Sequence, residues 1–165
     1  MMRINYINIS FLGLLLISKL SISFMNMSPF IATIIIGAYF ITNKYYLFMM
    51  ICLTQFISDI YFGMHFSNIF VYLSYFCITL VLYFTMKSIN LINSLVNAIY
   101  VNIIFFSISN FGHFVFYSES YTLTSLIDSY KMGLSFGINL LYSTFVFILI
   151  YHTLLAVSKR QLVKN

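Results

Sequence analysis

Apolar residues fill most of the chain in long stretches that short polar breaks separate. A bilayer core about 30 Å thick takes about 20 helical residues, so each stretch is a candidate transmembrane helix. The predicted spans are about residues 6–24, 29–42, 45–61, 68–86, 91–109 and 134–157. The pattern therefore predicts an all-α, polytopic membrane protein with six transmembrane helices in a single transmembrane domain.

Local signals set several of these boundaries. Pro29 suits the first turn of a helix, where its missing N–H has no partner to lose. Asn43 and Lys44 break the pattern between the second and third spans, and Gly63 ends the third. The second and third spans are thus expected to form a helical hairpin.

The longest predicted connection covers residues 110–133. Within it, apolar residues recur with helical spacing at Leu123, Leu126, Ile127 and Tyr130. This spacing predicts a short interfacial helix over about residues 122–132, ended by Gly133. A connection of this length is expected to act as a lid over a binding site.

Composition and charge support a membrane location. The chain has 165 residues, of which 62% are hydrophobic and 7% charged, too few charges to coat a water-soluble surface. Its net charge of +5 comes from bases scattered at the ends of apolar stretches, which indicates topology signals rather than nucleic-acid binding. With the N-terminus in the cytoplasm, six bases fall on that side, namely Arg3, Lys44, Lys87, Lys159, Arg160 and Lys164. Only Lys19 and Lys131 fall on the other side, which predicts a multi-pass membrane protein with both termini cytoplasmic.

Asp59 is the main candidate for chemistry. An acid in a membrane helix usually faces the bundle interior or a wet cavity, and Gln55 lies on the same helical face one turn earlier. Two plainer interpretations stay open: Asp59 ends its helix in the headgroup region, or it pairs with Lys19.

Other polar groups are expected near the same side of the membrane. Asn110 and His113 lie at the end of the fifth predicted span, and Asn139 and Tyr142 share one face of the sixth. We expect these four residues to help orient a small ligand, although an interfacial aromatic belt is an equal alternative for the first pair. Asn97, like Asn102, is better explained as an interhelical hydrogen-bonding residue.

No metal, cofactor or catalytic site is predicted. His65, His113 and Asp59 could supply metal ligands, but isolated loop histidines are more often solvated. Cys52 and Cys77 lie in apolar stretches and lack metal-binding or redox spacing. Hydrolase, metalloprotease and nucleotide-binding motifs are all lacking, so the chain is not expected to be an enzyme.

Several short motifs resemble a known group of membrane proteins. They are Pro29, Gly37-Ala38-Tyr39, Ser58-Asp59, Val71-Tyr72-Leu73-Ser74 and Asn110-Phe111-Gly112. The chain resembles an uncharacterised bacterial membrane-protein family related to the substrate-binding S components of energy-coupling factor (ECF) transporters.

This resemblance implies a six-helix S-component-like bundle in the bacterial inner membrane. It also implies binding of a vitamin or similar micronutrient from the outer side, and a transmembrane partner subunit energised by ATPases. Tyr72, in the motif that opens the fourth helix, joins the expected ligand-binding residues. The alternative is a membrane scaffold in which the polar residues join helices and an outer loop contacts another protein.

Overall fold

The computed structural model describes residues 6–20, 27–41 and 43–162, whose regular structure is entirely helical. The helices are α1 (Tyr6–Leu20), α2 (Phe30–Phe40), α3 (Lys44–Phe62), α4 (Asn68–Thr85), α5 (Leu91–Tyr117) and α6 (Leu123–Leu162). The predicted all-α class is therefore confirmed.

Helix length separates two groups within the described chain. Helices α3, α4, α5 and α6 are each long and apolar enough to cross a membrane, which indicates a membrane protein. Helix α2 has only 11 residues, so its length of roughly 16 Å is about half of the hydrocarbon core. Length thus supports four spans among the described residues, and the count of six stays a prediction.

Side-chain caps and one glycine explain where α3 and α5 begin and where α3 ends. The Asn43 side chain accepts hydrogen bonds from the backbone N–H groups of Tyr45 and Tyr46 at 3.0 and 3.2 Å, and α3 begins there. Asn90 caps α5 in the same way. Gly63 follows α3 with a φ of +109°, a conformation that residues with a Cβ rarely adopt.

Helix α2 lies at the centre of the bundle. It contacts all five other helices, and its residues from Phe30 to Gly37 are all buried. Such a helix needs no polar face, which agrees with its largely apolar sequence; the buried Thr33 hydroxyl bonds to the Pro29 carbonyl and the Tyr151 hydroxyl. The side chains of Ile34 and Ile35 are completely buried and form part of the main core.

The described residues just before α2 lie deep among the longer helices. Ser28 donates to the backbone carbonyl of Ser18, and the carbonyl of Ser28 accepts from Ser143, near the middle of α6. Phe30 also packs edge-on against Tyr75, near the middle of α4. Helices α1 and α2 therefore form a short hairpin whose described tip reaches only about halfway along its neighbours.

Helices α5 and α6 differ from the prediction for residues 110–133. Helix α5 continues to Tyr117, and α6 begins at Leu123 and passes through Gly133 without a break, so only residues 118–122 connect them. The interfacial helix predicted over residues 122–132 is thus the first part of the 40-residue α6. A separate lid over this region was a wrong expectation.

Gly133 and Gly112 lie inside helices at points where a neighbouring helix packs closely. A Cβ on Gly133 would collide with the Asn110 side chain, and one on Gly112 would collide with the Cβ and ring of Phe70. Each glycine therefore lets a neighbouring helix approach its backbone. From sequence alone, such a glycine looks the same as one that ends a helix.

Candidate functional site

Asp59 is buried in the last turn of α3, with 5% of its surface exposed. Its Oδ1 accepts a hydrogen bond from Gln55 Nε2 at 2.5 Å, and its Oδ2 accepts one from the Tyr72 hydroxyl at 2.8 Å. Of the two plainer interpretations, the position near the end of α3 agrees with the structure, while its depth in the bilayer stays a prediction. Asp59 joins α3 to α4.

The hydrogen bonds continue from Gln55 to the last turn of α1. The Tyr75 hydroxyl donates to Gln55 Oε1 at 3.1 Å, and Lys19 Nζ donates to that hydroxyl at 3.5 Å. Lys19 Nζ also lies 4.9 Å from the centroid of the Phe30 ring. We call the five residues Lys19, Tyr75, Gln55, Asp59 and Tyr72 the polar network.

Helical spacing brings these side chains together. Gln55 and Asp59 are four residues apart and share one face of α3, while Tyr72 and Tyr75 are three apart and share the facing side of α4. Lys19 comes from the last turn of α1, whose depth in the bundle places its amine beside Tyr75. The network therefore depends on the packing of three helices.

The network places one positive and one negative charge in the bundle. Taking a carboxylate out of water costs several kcal/mol unless other charges and hydrogen bonds compensate. Gln55 and Tyr72 donate directly to Asp59, and Lys19 is connected to it through Tyr75 and Gln55. The predicted pairing of Asp59 with Lys19 thus takes an indirect form, with Tyr75 and Gln55 between the two charges.

Asp59 and Tyr72 also line an open groove of about 390 Å³ where α3 ends and α4 begins. The other lining residues are Met64, His65, Phe66, Asn68 and Ile69. The groove thus combines a carboxylate, an imidazole and an amide with apolar walls, which is the usual composition of a small-molecule site. A ligand with a hydrogen-bond donor or a positive charge would match the carboxylate.

The remaining predicted ligand-binding residues lie elsewhere on α5 and α6. The buried Ser129 hydroxyl donates to the Asn110 backbone carbonyl at 3.2 Å, and His113 Nδ1 lies 3.2 Å from Ser129 Oγ. Asn139 is half-buried on α6, and Tyr142 is 63% exposed. Of the six predicted residues, the structure brings only Asp59 and Tyr72 together at the groove.

The buried asparagines of α5 join helices, as the sequence indicated. Asn102 Nδ2 donates to the Thr144 hydroxyl of α6 at 3.2 Å, and Asn97 Oδ1 accepts from the Thr85 hydroxyl of α4. Such hydrogen bonds are typical of membrane helix interfaces.

Sequence reasoning missed the part that Tyr75 plays in the network and the contribution of Asn68 to the groove. The spacing of Tyr72 and Tyr75 on α4 was the available signal for Tyr75. Pairing of Lys19 with Asp59 was one open interpretation, but the contact of Lys19 with Tyr75 depends on how far the α1–α2 hairpin enters the bundle. Among the residues that the structure describes, no three histidine, cysteine or acidic side chains cluster as metal ligands.

These features define a class: a helical membrane protein with a buried polar network beside a small groove. The whole chain also matches a known family. Residues 2–164 match the family of unknown function DUF6580, and the protein belongs to that family. No curated protein and no solved structure gives a significant match to the chain.

Proposed function

We propose that this protein binds a small solute at the groove beside Asp59 and takes part in its uptake across the bacterial inner membrane. The observation that carries the proposal is the position of Asp59, a buried carboxylate in the last turn of an apolar helix, α3, that lines an open groove. Ionisable residues in membrane helices usually serve a substrate pathway or binding site, since their burial is costly.

The groove favours a ligand that carries a cationic or hydrogen-bond-donating group. Each Asp59 oxygen accepts one hydrogen bond from the protein, and a carboxylate oxygen has a second acceptor site. His65 and Asn68 offer further polar contacts at the groove, while Phe66 and Ile69 provide apolar walls. A vitamin or similar micronutrient combines polar and apolar parts of this kind.

The resemblance to ECF S components extends the proposal to transport. The sequence contains no nucleotide-binding motif, so energy for uptake comes from a partner, a transmembrane subunit with ATPases. In this account the protein is not an enzyme. All six helices traverse or enter the membrane, and both termini are cytoplasmic, as the distribution of bases favours.

A non-transporting membrane scaffold is the second candidate. It is favoured because the members of the polar network hydrogen-bond to one another: Gln55 and Tyr72 each donate to one of the two Asp59 oxygens. In that function the network holds α1, α3 and α4 together and binds no solute.

Native mass spectrometry of the gently purified protein distinguishes the two functions. A binding protein retains one dominant small-molecule adduct of defined mass, and collisional release identifies it. A scaffold shows only lipid and detergent adducts, and that result from several mild detergents contradicts solute binding.

A further inference from the structure

A second cavity lies at the opposite end of α3 and α4 from the Asp59 groove. It has a volume of about 480 Å³ and is bordered by the end of α2, the start of α3 and the end of α4. Its polar lining includes two lysines, Lys44 and Lys87, and two tyrosines, Tyr39 and Tyr83. The remaining walls include the apolar side chains of Leu47, Leu82 and Met86.

The charge in this cavity is positive and unbalanced. The acidic residues Asp59, Glu119 and Asp128 all lie toward the other end of the bundle, near the α3–α4 and α5–α6 connections. In the described part of the chain, the only ion pair joins Asp128 to Lys131 at 3.3 Å. Neither cavity lysine therefore has a carboxylate partner among the described residues.

Lys44 is held in place by aromatic rings rather than by an acid. Its Nζ lies 4.5 Å from the centroid of the Tyr83 ring and 5.4 Å from that of Tyr45. A cation over an aromatic face keeps its hydrogen-bond donors available for a further partner. The Tyr39 and Tyr83 hydroxyls also form no hydrogen bond with any described residue, and both can donate.

We propose that this cavity binds the phosphate of an anionic phospholipid headgroup. Two ammonium groups and two hydroxyls match phosphate oxygens, and the apolar walls accommodate the glycerol and the first methylene groups. Basic pockets between membrane helices bind anionic lipid headgroups in this way. The cavity lies where two helix connections meet, a position that places it at headgroup depth when the long helices cross the bilayer. The proposal is independent of the solute site at Asp59.

A competition between two lipids tests the proposal on the wild-type protein. Native mass spectrometry would follow the protein in micelles that contain equal amounts of phosphatidylglycerol and phosphatidylcholine. Each lysine near an anionic headgroup favours it by about fivefold, so we expect a preference for phosphatidylglycerol of about 30-fold. Equal retention of the two lipids would overturn the proposal, because phosphatidylcholine has no net charge.

Variants locate the site. The Lys44→Gln/Lys87→Gln double variant is expected to lose the preference, and Lys44→Arg/Lys87→Arg to keep it, since the charge is retained. Lys131→Gln is the matched control, because Lys131 is an exposed lysine at the other end of the bundle. An unchanged preference in the glutamine variant, or an equal loss in Lys131→Gln, contradicts the assignment.

A third experiment distinguishes a bound lipid from a bound soluble phosphate compound. Millimolar glycerol phosphate is added to the lipid-loaded protein. Retention of phosphatidylglycerol supports the lipid, whose tails add apolar contacts. Its displacement overturns the lipid assignment and identifies a site for soluble phosphate esters.

Discussion

Tyr72 donates its hydroxyl hydrogen to Asp59 Oδ2 across the α3–α4 interface at 2.8 Å, and both residues line the same groove. The tyrosine thus links the stability of the helix pair to the shape of the site. Gly63 and the short turn after it allow α4 to return alongside α3, which places Tyr72 opposite Asp59. Any ligand in the groove would contact a carboxylate whose orientation two protein donors already fix.

Removing that hydroxyl should weaken the helix pair. Tyr72→Phe is expected to destabilise the protein by about 1.5 to 3 kcal/mol, the usual contribution of a hydrogen bond to a charged group. Thermal unfolding in detergent, followed by circular dichroism, measures the effect. Tyr142→Phe is the control, since Tyr142 is mostly exposed and its hydroxyl bonds to no described residue. Equal stability of the two variants would show that the Tyr72 hydroxyl contributes little.

The two charges of the polar network should be energetically coupled. Lys19→Met and Asp59→Asn each leave one buried charge without its opposite, and such losses cost about 3 to 5 kcal/mol. The double variant is expected to be more stable than the sum of the single effects predicts, by about 0.5 to 3 kcal/mol. Unfolding of the four proteins in one detergent completes the cycle. Additive effects would mean that Tyr75 and Gln55 transmit no interaction.

Gly112 tests the close approach of α4 and α5. A Cβ there would overlap Phe70 at its own Cβ, which cannot move without the α4 backbone. Gly112→Ala is therefore expected to destabilise the protein by about 1 to 3 kcal/mol. Gly13→Ala is the matched control, because nothing lies within 4 Å of a Cβ added to that α1 residue. The control should be neutral or stabilising, as alanine favours a helix over glycine by about 0.5 to 1 kcal/mol. A neutral Gly112→Ala would contradict the packing.

The sequence predicted some elements well because their signals are local. The third and fourth spans were predicted at 45–61 and 68–86, and the corresponding helices are Lys44–Phe62 and Asn68–Thr85. Asn43 and Gly63 act on their own neighbours in the chain, so their effects can be read without knowing the fold.

Other features depend on distant parts of the chain and could not be predicted in this way. Asn110 and Gly133 were interpreted as bounds of a connection, yet they lie within helices that pack on each other. The same limit applies to the site. Asp59 was identified from the sequence as an intramembrane acid. The contacts that Tyr75 and Lys19 make in the polar network depend on the packing of three helices.

Reporter fusions test the orientation of the bundle. Helix α1 packs antiparallel to α2, with Phe11 beside Gly37, and His152 of α6 lies 2.9 Å from the Ser94 hydroxyl near the start of α5. The described start of α1 and end of α6 are therefore at the end of the bundle that holds Lys44. Fusions at Met1, Asn43 and Asn165 should all report the cytoplasm, because bases favour that side. A fusion at His65 should report the outside. Opposite locations for Met1 and Asn165 would contradict this arrangement.

Retention of the co-purified solute by Asp59→Asn tests the account most directly. Asparagine keeps the size of the side chain but removes its charge and one acceptor, so we expect the solute to bind about 5- to 150-fold more weakly, a loss of about 1 to 3 kcal/mol. Asp128→Asn is the control, because Asp128 is an exposed acid paired with Lys131 and lies outside the groove. Native mass spectrometry at a series of solute concentrations gives both affinities, and circular dichroism confirms that each variant is folded. The account predicts weaker binding in Asp59→Asn alone; equal affinity of the wild type and a folded Asp59→Asn would contradict it.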